Sequence, residues 1–213
     1  VLVTGATGYI GGRLTSRLVE RGLAVRVLVR DPRRIRGRWW AEQVEVVTGD
    51  LFDAASLERA LSGVEQAYYL VHSMTYADDY AERDRIAARN FVHAGCHLTH
   101  CVYLGGLLPE HAEVSEHLRS RGETGAILRA GLPTTEFRAG PIVGSGSASF
   151  EMVRYLTERL PFMIAPKWIR NQVQPIAVRD VLSYLVAARE HPPCGVVEIG
   201  GADRLTFADM LHG

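Results

Sequence analysis

Lysine is nearly missing from this chain. Of its 24 lysines and arginines in 213 residues, only Lys167 is a lysine and the other 23 are arginines. Proton chemistry that needs an amine has one position available, because a guanidinium is permanently charged and cannot relay protons. Cysteine is also scarce. Cys96, Cys101 and Cys194 are too few and too irregularly spaced for a disulfide framework, so free thiols are expected. Net charge is absent, with 24 acidic residues against 24 basic ones, and nothing favours nucleic acid or an anionic membrane as a general partner. No apolar run approaches the ~20 residues of a membrane span, and the N-terminus is a core strand rather than a cleavable signal. These absences predict a soluble cytoplasmic protein, and the length suits a single domain.

What is present begins at once. Residues 1–12, Val-Leu-Val-Thr-Gly-Ala-Thr-Gly-Tyr-Ile-Gly-Gly, read as a buried strand running through a glycine turn into a helix. Val1, Leu2 and Val3 suit a central parallel strand. Gly5 permits a tight turn, Gly8 lets backbone amides approach a pyrophosphate, and Gly11 lets the helix pack on the sheet. The helix N-terminus then faces the anion. Ile10, Leu14 and Leu18 line one face of that helix, and a second strand follows from Ala24 to Arg30.

Strand and helix continue to alternate. Val44 to Val47 reads as a third strand ending at Gly49-Asp50, and Asp53 caps a helix carrying Leu57 and Leu61. Further strands are expected from Ala67 to Val71, Cys101 to Leu104 and Thr134 to Arg138, with helices over 77–94 and 114–129. The series predicts an α/β fold, a Rossmann-type doubly wound parallel sheet, with residues 1–140 as its dinucleotide-binding core. Residues 141–213 are less regular and read as a small C-terminal substrate-side region of the same domain. They hold a turn at Gly144 to Ser147, a helix from about Phe150 to Leu160, a proline-bounded stretch with Trp168, a helix from Asp180 to Ala188 and a strand from Val196 to Ile199. Thr206 to Asp209 reads as a helix capping box close to the last residue. Since the chain also opens on Val1 rather than methionine, it is expected to be a fragment truncated at its C-terminus.

Four segments carry a family resemblance: Thr4-Gly-Ala-Thr-Gly-Tyr-Ile-Gly11, Val47-Thr-Gly-Asp-Leu51, Val102-Tyr-Leu-Gly-Gly106 and Val178-Arg-Asp-Val181. On these the chain resembles the atypical short-chain dehydrogenase/reductases, the NmrA-like and isoflavone-reductase-like NAD(P)-binding proteins. The resemblance implies that Gly5, Thr7, Gly8, Tyr9, Ile10 and Gly11 line a pyrophosphate. It implies that Asp50 and Leu51 meet the adenine, and that Leu70, Val71 and His72 meet the nicotinamide-side ribose.

At the end of the second strand an acidic residue would bond the ribose 2′-hydroxyl of NAD, whereas an arginine would receive the 2′-phosphate of NADP. The chain has both, Arg30 and Asp31. NADP(H) is favoured and NAD(H) stays open, because Asp31 precedes Pro32 and can simply start a turn, while Arg33 and Arg34 add positive charge. Trp39 and Trp40 either cover the adenine or anchor the arginine loop.

Ordinary members of the superfamily use Tyr-x-x-x-Lys, and here the matching segment is His117-Leu-Arg-Ser-Arg121. His117 and Arg121 lie one helical turn apart. An imidazole titrating near ~6.5 can exchange a proton around neutral pH, and Arg121 can grip ribose hydroxyls. The usual serine is replaced by Gly105-Gly106. Asn90 is either an active-site amide or a helix-surface one, and Arg138, Gly140 and Pro141 are expected beside the nicotinamide pocket. His93, Cys96, His97, His100 and Cys101 suggest a metal cluster at first sight, but they straddle a helix end, a loop and a strand, so no metal site is assigned; exposed histidines and buried cysteines are expected instead. Three functions stay open. One is an NADP(H)-dependent oxidoreductase, or an epimerase/dehydratase-like relative, acting on a small carbonyl, enone or quinone. The others are a non-catalytic NADP(H) sensor that contacts a regulatory protein partner, and an assembly protein.

Overall fold

Aliphatic runs form the strands, and because helices cover both faces of the sheet, those runs need no polar alternation. The structure, a computed structural model, describes residues 1–72, 79–108, 114–147, 151, 155 and 170–212. Apart from Glu151 and Tyr155, the helix expected from about Phe150 to Leu160 falls outside these residues, as does the stretch with Lys167 and Trp168. The elements are β1 (Leu2–Thr4), α1 (Tyr9–Glu20), β2 (Arg26–Val29), β3 (Glu45–Thr48), α2 (Ala54–Leu61), β4 (Gln66–Tyr69), α3 (Tyr80–Ala94), β5 (His100–Gly106), α4 (Glu116–Gly131) and β6 (Thr134–Ala139). There follow β7 (Ile142–Val143), β8 (Gln172–Val173), β9 (Ile176–Ala177), α5 (Val178–Ala188), β10 (Gly195–Ile199), β11 (Leu205–Thr206) and α6 (Phe207–His212).

Seven strands form one parallel sheet in the order β10-β6-β5-β4-β1-β2-β3. This is the doubly wound order expected from the strand–helix alternation. The chain winds outward from β1 to β3, then crosses back to lay β4 on the other side of β1. Ligands of such sheets sit in the crevice at that reversal, outside the carboxyl ends of the strands. Leu14 and Leu18 of α1 and Val181 and Leu185 of α5 cover one face, over Val3, Val27, Tyr68 and Val102. Leu57 and Leu61 of α2, Phe91 of α3 and Leu128 of α4 cover the other, over Leu2, Leu28, Tyr69 and Tyr103. Each such buried leucine contributes about 1.5–3 kcal/mol. The Tyr68 hydroxyl, deep in the first cluster, donates to the Leu185 carbonyl at 3.0 Å, so its burial leaves no polar group unpaired.

Local signals behave as the residues suggest. Asp53 accepts from the Ala55 N–H at 3.1 Å and starts α2. Thr206 and Asp209 form a reciprocal capping box: the Thr206 hydroxyl accepts from the Asp209 N–H at 3.1 Å, and the Asp209 carboxylate accepts from the Thr206 N–H at 2.7 Å. Cys96, Cys101 and Cys194 are all free. The pairs β7–β9 and β8–β11 have no counterpart in the sequence reading, since two-residue strands carry no periodicity. Among the described residues no helix is long and apolar enough to cross a membrane.

Candidate functional site

The glycine turn after β1 is held by close contacts between backbones. Gly5 has φ +74°, and a Cβ there would lie 2.5 Å from the Leu70 carbonyl oxygen. A Cβ on Gly11 would overlap the carbonyl of Gly5. Gly11 therefore seats α1 on the turn itself, a closer approach than the helix-on-sheet packing expected of it. The Gly8 N–H closes the turn on the Gly5 carbonyl at 2.9 Å. Thr4 joins β1 to β4, its hydroxyl donating to the Tyr68 carbonyl at 3.0 Å and accepting from the Leu70 N–H at 3.1 Å. Gly8 is the N-cap of α1, with no side-chain cap and no acidic residue in the first turn. The first amides of the helix are thus left to an external acceptor.

A cleft of about 720 Å³ opens over this turn at the carboxyl ends of the strands. Its wall brings together Gly5, Thr7, Gly8, Tyr9, Ile10 and Gly11 with Arg30, Asp50, Leu51, Leu70, Val71, His72 and Arg121. Asp31, expected at the cofactor, and His117, expected at the reacting centre, do not line it. Asp31 caps a 3-10 turn over Pro32–Ile35, accepting from the Arg33 N–H at 3.0 Å and from the Arg33 guanidinium at 2.9 and 3.0 Å. That hydrogen bonding holds its carboxyl below the usual carboxylate range. Arg34 joins Arg30 in the wall.

The loop after β3 is braced from below. Asp50 accepts from the Phe52 N–H at 3.1 Å, and the Asn90 amide donates to the Leu51 carbonyl at 3.0 Å. Asn90 therefore supports the Leu51 turn, which lines the cleft. Phe52 carries the Arg83 guanidinium 4.6 Å above its ring. The two tryptophans anchor the arginine loop and neither lines the cleft. Trp40 is buried in the core, and the exposed Trp39 donates its indole N–H to the Ser16 hydroxyl at 3.1 Å.

At the inner end, His72 and Arg121 share the wall with Tyr80 and Asp84 of α3. Arg121 donates to the Leu104 carbonyl at 2.7 Å, its own carbonyl accepts from the Tyr103 hydroxyl at 3.0 Å, and its buried Nε has no partner. The His117 ring meets His72 edge to face, with centroids 5.9 Å apart. Burial, with the Arg121 charge beside it, pushes His72 down to about 4; the same two causes lower His117. Asp84 is buried and accepts from the Ser120 hydroxyl at 3.1 Å. Tyr80, Arg83 and Asp84 were not singled out in the sequence, although the three- and four-residue spacing that puts them on one face of α3 was visible there.

Other candidates lie elsewhere. Arg138 donates to the buried Glu136 at 2.8 Å, which also pairs with Arg129. Its charge is spent there, and of the residues after β6 only Ile142 lines the cleft among those described, not Arg138, Gly140 or Pro141. The histidine–cysteine segment keeps the expected pattern of exposed histidines and buried cysteines in part: His93 and His97 are exposed and Cys101 is buried, whereas His100 and Cys96 are the reverse. His100 is buried against the Thr135 hydroxyl at 2.8 Å, Cys96 is exposed, and His97 bonds the Leu61 carbonyl at 3.0 Å. Cys101 alone is a buried cysteine there, its thiol pushed up to about 12 by burial.

Known proteins share this fold and sequence pattern. A UDP-glucose 4-epimerase of Thermus thermophilus, solved in complex with NAD, superposes with a TM-score of 0.76 at 20% identity, covering 99% of this chain and 80% of that one. In sequence, the chain is 35% identical over 140 residues to a (4-alkanoyl-5-oxo-2,5-dihydrofuran-3-yl)methyl phosphate reductase of Streptomyces griseus, across 65% of this chain and 46% of that protein. It is 29% identical over 223 aligned positions to a ceramide reductase of Caulobacter vibrioides, across 100% of this chain and 68% of that protein. The chain thus spans about half the length of the first relative and about two thirds of the second. The NmrA-like family model matches residues 1–117, more than half of the 213, and takes in the glycine turn, the braced loop after β3 and the His72 end of the cleft, so the chain belongs to the NmrA-like family.

Proposed function

We propose that this chain binds NADP(H) and is an oxidoreductase moving hydride between the nicotinamide and a small carbonyl, enone or quinone. The observation that carries it is at the adenine end of the cleft: Arg30 and Arg34 line the wall, while the one carboxylate that would select NAD is turned onto Arg33. A 2′-phosphate gains from guanidiniums there, whereas a 2′-hydroxyl finds no acidic acceptor at Asp31. The residues fit a dinucleotide along the rest of the cleft. Gly5, Thr7, Gly8, Tyr9, Ile10 and Gly11 would take the pyrophosphate at the uncapped start of α1, Asp50 and Leu51 the adenine, and Leu70, Val71 and His72 the nicotinamide-side ribose. The unpartnered Nε of Arg121 suits the ribose hydroxyls.

When bound, the nicotinamide gives or takes the hydride. The chain's own part is to hold the ribose, exclude water and exchange a proton, for which the imidazoles at the inner end are suited, His117 being the one that matches the family's tyrosine position. The reductase relatives support hydride chemistry on an acyl-substituted carbonyl or enone. Residues 1–140 would hold the cofactor and 141–213 supply substrate-side elements, of which Ile142 already lines the cleft. The absence of Tyr-x-x-x-Lys favours a second reading, an NADP(H) sensor without turnover.

A parallel titration of the protein with NADPH and NADH, followed by nicotinamide fluorescence and then by NADPH oxidation with phenanthrenequinone and cyclohexenone, separates these readings. Selective NADPH binding with turnover supports the oxidoreductase. Selective binding with no oxidation of either acceptor replaces it with the sensor, and no binding of either nucleotide overturns both.

A further inference from the structure

The imidazole that faces the cleft is not the one at the family's tyrosine position. His72, on the loop leaving β4, lines the inner wall together with Arg121 and Asp84, whereas His117 does not line it. His117 is exposed at the start of α4 and its ring meets that of His72 edge to face, 5.9 Å between centroids. Tyr103, the phenol on the neighbouring strand, is spent on the Arg121 carbonyl and pushed up to about 12 by burial. We infer that His72 is the catalytic residue that exchanges the proton with the substrate oxygen, and that His117 is a positioning residue standing between it and solvent. This rests on the oxidoreductase reading above.

Written for reduction, the C=O π bond opens as the carbon takes a hydride from the dihydronicotinamide. The oxygen takes the proton of the His72 imidazolium, leaving an alcohol, oxidised nicotinamide and neutral imidazole; solvent on the His117 side returns the proton. In the reverse direction neutral His72 accepts the proton of the alcohol. The groups facing His72 set the balance between its forms. Arg121 and His117, both on α4, disfavour the imidazolium, while Asp84 on α3 favours it. Burial disfavours the imidazolium most and Arg121 is the largest of these three charges, so the neutral form prevails at pH 7. Alcohol oxidation then holds its rate across neutral pH, while reduction quickens as pH falls.

The test compares His72→Asn, His117→Gln and Tyr80→Phe in the full chain with NADPH and phenanthrenequinone. Turnover of His72→Asn is expected to fall by about a hundredfold or more at saturating NADPH, beyond any loss of NADPH affinity, with external imidazole restoring part of the rate in His72→Ala. His117→Gln is expected to lower turnover far less than His72→Asn does and to move the His72 titration upward, read from the imidazole proton resonances independently of activity. Wild-type rates in His72→Asn, or loss of turnover in His117→Gln or Tyr80→Phe instead, overturn the assignment while leaving the oxidoreductase reading intact. Should the wild type bind NADPH without turnover, that reading fails and the assignment with it. A His72 resonance that titrates at its usual value of 6.5 and ignores His117→Gln overturns the pairing by itself.

Discussion

The Arg33 guanidinium takes both oxygens of Asp31, its Nε 2.9 Å from one and its Nη2 3.0 Å from the other. Both groups lie at the surface, and the contact matters less for stability than for what it withdraws from the cleft. Arg30→Ala should weaken NADPH binding by about 10–100-fold, the worth of a charge-assisted hydrogen bond, and NADH binding much less. Arg33→Ala should free Asp31 and raise affinity for NADH. Equal losses for the two nucleotides in Arg30→Ala would reject the assignment; nicotinamide fluorescence titration measures both.

Gly5 and Gly11 should resist even alanine. At Gly5 the left-handed backbone and the Leu70 carbonyl oppose a Cβ together, and at Gly11 the opposing atom is the Gly5 carbonyl, which no side-chain rotation can move. Each substitution is expected to cost about 1–3 kcal/mol or more and to abolish nucleotide binding. Thermal unfolding checks the first effect and titration the second.

Adjacent tryptophans should behave oppositely. Trp40 is 1% exposed and Trp39 is 54% exposed. Trp40→Ala should therefore cost about 3–5 kcal/mol through the cavity it leaves. Trp39→Ala should lose no more than about 1 kcal/mol, the worth of its hydrogen bond, and leave NADPH affinity unchanged. Urea denaturation separates the two. A large loss of NADPH affinity in Trp39→Ala would restore an adenine-covering role.

Acid should destabilise the protein through imidazoles whose charged form folding disfavours. His72 titrates near 4 when folded and near 6.5 when unfolded, so between those values the unfolded chain binds more protons and stability falls as pH falls. The loss from His72 is at most about 3 kcal/mol, and His117 and His100, also lowered by burial, add to it with the same sign. Arg121→Met removes the charge that disfavours the imidazolium, so it should raise the folded His72 value and flatten the dependence. Urea midpoints measured from pH 4 to 7.5 test this, and midpoints independent of pH over that range would contradict it.

Local chemistry was enough to read the parallel sheet and the glycine turn, while the order of the strands came from the tertiary structure. Apolar runs like Val1 to Val3 and helical faces like Ile10, Leu14 and Leu18 are written in neighbouring residues, and a Thr-Gly-Ala-Thr-Gly-Tyr-Ile-Gly segment has few backbone paths open to it. The Asp53 cap and the Thr206–Asp209 box were legible for the same reason: each partner lies within a turn of the other. What tertiary structure alone decided is where side chains point when their partners are distant in the chain. Asn90 bracing Leu51, Arg138 committed to Glu136, His100 buried on Thr135, and His72 rather than His117 facing the cleft all depend on how α3, α4 and β6 pack. Even the two-residue step from Asp31 to Arg33 needed the 3-10 turn to close before the carboxylate had a partner.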